Sequence, residues 1–226
     1  GGLAERTGSS LPVLAAAGYR VAAMDLRGYG ESGGDYSTFG GREAGDLHAW
    51  LDALASKVPA GAEFVPVAWG RSMGAAIALR AAAEDVRLRG LVLEAPMVDL
   101  NAALVRVLRK RRAPMAPLLA RLILRRAGRL AGIPLGKPGP REAAAAFHGP
   151  VVVVHGEDDD LIPAPQARAL ADAFPSPAAY LEVPGATHSD VARVGGPALI
   201  HAVLDRLDEG LSLKASARSD PSDRAV

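Results

Sequence analysis

Two serines of this sequence lie in the spacing Gly-x-Ser-x-Gly, Ser32 and Ser72. A serine hydroxyl is a weak nucleophile at neutral pH, so it needs a neighbouring general base and a fixed, exposed position. Ser72 lies within Val65–Leu79, where an extended apolar run gives way to an alanine-rich run of helical period. A sharp strand-to-helix turn of this kind holds a serine in a strained conformation and aims backbone N–H groups at the space above it. We therefore predict that Ser72 is a nucleophile.

Ser32 has a different context. It follows Asp25–Gly30 and leads into Gly33–Asp35, and no helical pattern starts there. Glycines at this density predict a flexible loop. The spacing alone is a weak signal in a chain with 25 glycines, and the alternative for Ser72 is a plain strand-to-helix turn with a capping serine.

His188 is the predicted general base among five histidines. It lies in the loop Pro184–Asp190, between an apolar strand candidate and the last helical segment. Loops at the carboxyl ends of strands are where the sites of such sheets gather; the alternative is a solvent-exposed loop histidine. On predicted helices, His48 and His201 are predicted to be packed or surface residues. His148 lies in the linker before a strand, and His155, at the end of a buried strand, is predicted to be structural.

A run of four acidic residues, Glu157–Asp160, follows the strand candidate Val151–His155. Neighbouring carboxylates repel one another, which is a cost unless one is used or all are solvated. A carboxylate at this place could orient the imidazole of His188 and stabilise the imidazolium that forms during acyl transfer. The preferred acid comes first and its alternatives follow: Asp159, then Asp160, then Glu94 and Asp99.

The elements that must position these residues alternate between short β-branched runs and longer runs of helical period. This alternation predicts a doubly wound α/β fold, and the four valines at 151–154 predict a strand buried on both faces in a parallel sheet. The predicted strands are Tyr19–Met24, Glu63–Ala68, Leu91–Glu94, Val151–His155 and Ala179–Val183. The predicted helices are Glu5–Ala17, Arg42–Ser56, Met73–Ala83, Pro165–Phe174 and Pro197–Glu209.

Residues 99–142 interrupt this alternation. Between Asn101 and Arg141 there is no acidic residue but eleven of the 26 basic ones. We predict one or two amphipathic helices and then a Gly/Pro-rich linker. One interpretation is a small cap whose residues 106–129 contact an anionic membrane surface or an acidic substrate group; the other is a helix pair with a solvated basic face, neutralised by the acidic remainder of the protein. The apolar residues at helical spacing among the arginines are Leu118, Leu119, Leu122 and Ile123.

Composition narrows the function further. The 226 residues suffice for one domain, predicted over 1–211, followed by a small, polar, disordered tail over 212–226. No cysteine is present, which excludes disulfides, thiolate zinc sites and cysteine nucleophiles. A net charge of +1 gives no field that favours nucleic acid, and no phosphate loop, metal-ligand cluster or dinucleotide fingerprint is visible. We expect no metal, cofactor or nucleic-acid partner, and a cytoplasmic location unless an anchor lies upstream.

Three motifs together resemble the α/β hydrolase superfamily over nearly the whole chain: Gly70–Gly74, His155–Pro163 and Gly185–His188. The order serine, acid, histidine is that of this superfamily. The resemblance implies a mostly parallel sheet with helices on both faces, Asp159 as the acid, and Ser32 as a structural residue. Within the superfamily, the chain resembles small, lightly capped serine hydrolases, a group that includes esterases and protein depalmitoylases.

The resemblance implies cleavage of a carboxylic ester or thioester of a small-molecule or acylated substrate through an acyl-enzyme. The alternatives are a serine peptidase, a cofactor-free haloperoxidase, and a catalytically weak fragment or non-enzymatic relative. The family has a strand before its first helix that ends in His-Gly and donates one N–H to the oxyanion hole. That strand is absent, so we expect the chain to be a fragment or a gene model that starts too late. The implied oxyanion donors are Met73 and, as candidates for the second, Gly2 and Leu3.

Overall fold

The structure is a computed structural model that describes residues 10–135, 139–176 and 178–219, with 213–219 as backbone only. The last helix is bent at Gly196, whose backbone is not helical, just before Pro197. The elements in chain order are α1 (Leu11–Ala16), α2 (Glu43–Ala55), β1 (Val67–Arg71), α3 (Met73–Glu84), β2 (Gly90–Glu94), α4 (Leu100–Lys110), α5 (Ala116–Ala131), α6 (Pro140–Ala146), β3 (Val151–Gly156), α7 (Ala164–Ala171), β4 (Ala179–Val183) and α8 (Val191–Ser219).

The four strands form one parallel sheet in the order β1-β2-β3-β4. Val67 is paired with Gly90, Leu91 with Val151, and every residue of β2 and β3 is buried. Because all strands run the same way, their carboxyl ends lie at one edge of the sheet. The predicted parallel α/β fold with helices on both faces is confirmed.

Both faces of the sheet are covered by helices, as the apolar strands predict. Leu91 and Leu93 lie in a buried cluster with Leu79 of α3, to which α2, α6 and α7 also contribute. Val92, between them, points to the other face and packs with Leu207 of α8. This alternation follows from the two-residue period of a strand. The rigid middle of the sheet thus carries the loops that follow each strand.

Two predicted strands differ from the structure. Tyr19–Met24 is not a strand, because an extended segment becomes one only where a neighbour supplies ladder hydrogen bonds, and no described residue pairs with the outer edge of β1. The strand predicted at Glu63–Ala68 begins only at Val67, where pairing with β2 starts, and it continues to Arg71.

The helices and the tail also differ in part from the sequence prediction. As one of the two predicted forms, the insertion contains two helices, α4 and α5. A further helix that we did not predict, α6, begins at Pro140, where the predicted Gly/Pro-rich linker ends. Helix α8 continues through Ser219, beyond Ser212 where we predicted a disordered tail, because 213–218 consists mainly of strong helix formers. Residues 220–226 lie outside the described part, as does the beginning of the helix predicted at Glu5–Ala17.

A buried carboxylate at the start of α2 organises the loop before it. Glu43 is fully buried and accepts hydrogen bonds from the hydroxyls of Ser37 and Thr38 and from the N–H groups of Thr38 and Gly40. Burial by itself raises the pKa of Glu43, but the hydrogen bonds from Thr38 and Ser37 outweigh it, so the pKa lies below its ordinary value. The Glu43 side chain is therefore ionised at neutral pH and accepts hydrogen bonds from several residues of the loop.

The loop at 36–42 connects two parts of the molecule. The Ser37 hydroxyl lies 3.4 Å from Sδ of Met73, the first residue of α3. At the other end, the Arg42 guanidinium donates to the carbonyl of Ala131 at 2.9 Å, in the last turn of α5. The loop therefore fixes the end of the basic insertion relative to the turn at Ser72.

We predict that Glu43→Gln lowers the free energy of unfolding at pH 7 by about 1–3 kcal/mol, because an amide nitrogen replaces an acceptor among buried donors. The pKa is lower in the folded chain than its ordinary value of 4.5, so the contribution is present above that value and is lost as pH falls through the folded pKa. The difference from wild type, measured by urea unfolding, therefore narrows on acidification. The exposed Glu63→Gln is the control, and equal effects of the two changes would contradict the role of Glu43.

Candidate active site

Ser72 lies between β1 and α3 in a strained backbone conformation, with φ 52° and ψ −113°. A positive φ is uncommon for a residue with a side chain and persists only where the surroundings enforce it. The Ser72 N–H donates to the carbonyl of Glu94 at 2.8 Å, and its carbonyl accepts from the N–H of Met97 at 3.2 Å. The neighbouring strand β2 and the turn after it thus hold Ser72 in place.

The two glycines around Ser72 differ in what they contribute. A Cβ atom at Gly70 would lie 2.3 Å from the carbonyl oxygen of Gly74, which is too close for any side chain. A Cβ atom at Gly74 would have no atom within 4 Å outside its own helix. The first glycine is therefore required by the close approach of β1 and α3, and the second is not.

The three predicted triad residues lie together in a hydrogen-bonded row. Nε2 of His188 is 2.9 Å from Oγ of Ser72, and Nδ1 of His188 is 2.8 Å from Oδ2 of Asp159. Asp159 is only 5% exposed, and its other oxygen accepts the N–H groups of Leu161 at 2.9 Å and Ile162 at 2.8 Å. Both oxygens of this buried carboxylate are therefore hydrogen-bonded.

The hydrogen bonds keep Asp159 ionised in spite of its burial. Burial by itself raises the pKa of Asp159, but the hydrogen bonds from His188 and from the Ile162 N–H outweigh it, so the pKa lies below its ordinary value. His155 is also fully buried, and its Nε2 lies 3.5 Å from Oδ2 of Asp159, the oxygen that contacts His188. The Nε2–H of His155 donates to the Ile162 carbonyl at 2.8 Å, and burial lowers the pKa of His155. His155 is therefore a neutral, structural ring, as the sequence predicts.

The loops that carry Asp159 and His188 are in direct contact. The Asp158 N–H donates to the Ala186 carbonyl at 2.9 Å, and a Cβ atom at Gly156 would lie 2.4 Å from the same oxygen. Asp190 shapes the second loop, since its carboxylate accepts from the N–H and the hydroxyl of Thr187 at 2.7 and 2.9 Å. Sequence reasoning missed Gly156 and Asp190; the Thr-x-x-Asp spacing just before a helix is the signal that indicates such a turn.

The alternative acids occupy other places. Asp160 is exposed and pairs with Nζ of Lys110 at 2.5 Å. Glu94 is buried, accepts from the indole N–H of Trp69 at 3.3 Å, and has its pKa raised by burial. Asp99 caps the first turn of α4. None of the three hydrogen-bonds to the imidazole of His188; among the four candidate acids, only Asp159 does.

The remaining candidates lie outside the row. Ser32 donates its hydroxyl to the carbonyl of Asp25 at 2.6 Å, which is a structural contact within its loop. His48 contacts a carbonyl of α3 at 3.1 Å, and His148 and His201 are exposed. Within the described ranges, no group of three or more His, Asp or Glu side chains is arranged to hold a metal ion.

Of the three residues that we predicted as oxyanion donors, the structure describes one. Met73 is the first residue of α3, and the N–H groups of a first helical turn lack acceptors within the helix. Gly2 and Leu3 lie outside the described residues. The donor to be paired with Met73 therefore stays a prediction.

A cavity of about 280 Å³ lies beside the row. Helix α4 and the residue after it form one wall, and the loops that carry the acid and the histidine form the other. The basic insertion thus reaches the site itself. The residues on the two walls include Val107, Lys110 and Arg111 on the first and Leu161, Thr187 and His188 on the second.

Residues 3–132 match the family model described as serine aminopeptidase, S33. That match covers more than half of the chain. The chain belongs to this family of α/β hydrolases. The predicted superfamily is therefore confirmed, and the matched residues contain the strand-to-helix turn at Ser72.

The α/β hydrolase is similar to an uncharacterised protein of Mycobacterium tuberculosis, with 30% identity over 194 residues. The aligned part is 85% of this chain and 61% of that protein, so the chain spans less than two thirds of the curated relatives that it matches.

Solved structures support the fold. The Pyrococcus furiosus esterase Pf2001 has a TM-score of 0.73 at 21% identity, over 92% of this chain and 78% of that one. A monoacylglycerol lipase of Paleococcus ferrophilus has a TM-score of 0.61 at 19% identity, over 89% of this chain and 90% of that one. Among the helices that the structure describes, none has both the length and the apolar character that crossing a bilayer requires.

We predict that Gly70→Ala lowers the free energy of unfolding by roughly 1–3 kcal/mol or more, because the added methyl group meets backbone that cannot move aside. Gly74→Ala is the matched control, which we expect to be neutral or stabilising by up to about 1 kcal/mol, since alanine favours a helix. Urea unfolding of both variants measures the difference. Equal stabilities would show that the turn does not depend on the close approach at Gly70.

Proposed function

We propose that this α/β hydrolase cleaves a carboxylic ester or thioester through an acyl-enzyme formed on Ser72. The observation that carries the proposal is the continuous row from the Ser72 hydroxyl through the His188 ring to the buried Asp159. Such a row can remove a proton from an alcohol at neutral pH and return it to a leaving group.

The negative charge on Asp159 determines which ring nitrogen of His188 carries the hydrogen. An ionised carboxylate only accepts hydrogen bonds, so Nδ1 of His188 carries the hydrogen and Nε2 is free to accept the Ser72 proton. As Oγ attacks the acyl carbonyl, Nε2 takes that proton and Asp159 stabilises the resulting imidazolium. The alcohol or thiol then leaves with the proton. Water attacks the acyl-enzyme by the same route and releases the acid.

The proposed oxyanion hole uses the Met73 N–H, with its second donor from the region of Gly2 and Leu3. Charge that develops on the acyl oxygen is stabilised by such fixed donors, and loss of one costs about a hundred- to thousandfold in rate. In this proposal, the strained turn at Ser72 directs the Met73 N–H towards the same space as the Ser72 hydroxyl.

An aminopeptidase is the second candidate, because the matching family model carries that description. An aminopeptidase must hold the positively charged α-ammonium group of a peptide close to the nucleophile. Here the cavity wall presents Lys110 and Arg111, and Asp160 is already paired with Lys110. Like charges at this wall oppose a cationic substrate, so we favour the ester or thioester.

Labelling with a fluorophosphonate probe tests the nucleophile. We expect the wild type to be labelled and Ser72→Ala to remain unlabelled, because the probe reacts only with an activated serine hydroxyl. Ser32→Ala is the matched control, since Ser32 has the same Gly-x-Ser-x-Gly spacing but donates to a backbone carbonyl. Labelling that persists in Ser72→Ala but disappears in Ser32→Ala would reverse the assignment.

Replacement of the acid tests the mechanism. We expect Asp159→Asn to lower kcat for p-nitrophenyl acetate about 10⁴-fold, because an amide can stabilise the wrong tautomer of the imidazole. Asp160→Asn, next along the chain, should change kcat only a few-fold, since Asp160 contacts Lys110 and not His188. A larger loss in Asp160→Asn than in Asp159→Asn would refute the proposed role of Asp159.

A further inference from the structure

Helix α5 exposes apolar side chains on the outside of the molecule. Its inward side is made of small residues, since Ala116, Ala120 and Ala131 are buried. Five large apolar side chains on α5 or just before it are between 44% and 68% exposed: Met115, Leu118, Leu122, Ile123 and Leu130. Water-exposed leucines in such number on one helix indicate a contact surface.

Arginines accompany these apolar side chains. Arg121, Arg125 and Arg129 are spaced four residues apart, which places them along one side of α5. They line an open groove of about 620 Å³, to which Leu124 and Ile133 also contribute. The groove therefore combines apolar walls with a row of guanidinium groups.

The acidic side chains of the described residues pair with little of this charge. In the parts of the chain that the structure describes, the basic side chains between 106 and 129 make one ion pair, from Lys110 to Asp160. This disfavours the interpretation as a helix pair balanced by its own protein. The charge is left for a partner of opposite sign.

We propose that the hairpin of α4 and α5 docks on the surface of an anionic phospholipid bilayer. The exposed leucines would enter the region between head groups and acyl chains, and the arginines would contact lipid phosphates, as in helices that lie in the membrane interface. An RNA or an acidic protein segment would use the arginines but leave the leucines without a role. The combination of both on one helix favours lipid.

The position of α4 links this surface to the candidate site. Val107 and Arg111 line the cavity beside His188, so a docked hairpin would place the cavity next to the bilayer. Resting on the proposed function, this makes the substrate an acyl ester or thioester of a membrane amphiphile. Docking itself does not depend on the triad.

Vesicle sedimentation tests the docking, with the intact chain and its Ser72→Ala variant. We expect both to bind phosphatidylcholine vesicles that contain phosphatidylglycerol, to bind pure phosphatidylcholine far more weakly, and to be released as salt screens the charges. Binding that is independent of phosphatidylglycerol would overturn the proposal.

Two double variants separate the apolar and the charged contributions. Leu118→Ser with Leu122→Ser should weaken binding about tenfold per leucine, and Arg125→Gln with Arg129→Gln about fivefold per arginine. The controls are Val86→Ser, which removes a 93% exposed apolar side chain in the turn between α3 and β2, and Lys57→Gln, after α2. We expect wild-type binding from both controls.

Three further results would contradict the proposed docking on a bilayer or the proposed substrate. If the arginine variant loses binding, the leucine variant does not, and single-stranded RNA displaces the vesicles, the surface is a polyanion site and the proposal fails. If a dimer forms without vesicles and the leucine variant abolishes it, a second copy covers the helix, and the proposal fails too. Failure of probe labelling at Ser72 with intact vesicle binding would overturn the substrate assignment alone.

Discussion

The strained backbone of Ser72 is the constraint on which the rest of the site depends. A conformation with φ 52° and ψ −113° costs on the order of 1–3 kcal/mol and persists only when the surroundings determine it. Here β2 and the turn after it hold both the N–H and the carbonyl of Ser72, and Gly70 lets α3 approach β1. Since β2 is buried between two layers of helices, the turn is as rigid as the middle of the sheet. A fixed hydroxyl is what allows two other loops to meet it.

The second half of the site is an electrostatic arrangement built from two loops. Asp159 is buried, yet it stays ionised because two backbone N–H groups and the His188 ring donate to it. The neutral ring of His155 beside it adds no competing positive charge. The Ala186 carbonyl, which accepts from the Asp158 N–H, ties the two loops together. The Asp159 carboxylate and the His188 ring are therefore positioned as one unit.

The sequence could predict that the residues of the candidate site lie together, because each of them follows a strand and the ends of parallel strands meet at one edge. Ser72, Asp159 and His188 needed only that rule and the local turn patterns. The prediction of a strand at Tyr19–Met24 was wrong, because a strand forms only beside a neighbouring strand, which the local sequence pattern does not reveal. The role of Glu43 was also hidden, since an acidic residue at a helix start is ordinarily solvated, and only tertiary packing buries it.

The loop at 36–42 gives the molecule a mechanical connection. Five hydrogen bonds hold the loop to the carboxylate of Glu43. The loop contacts Met73 at one end and Ala131 at the other. The loop therefore connects these two helices, α3 and α5, through fixed contacts. The loop thus forms a continuous path of contacts from the end of α5 to the first turn of α3, directly beside Ser72.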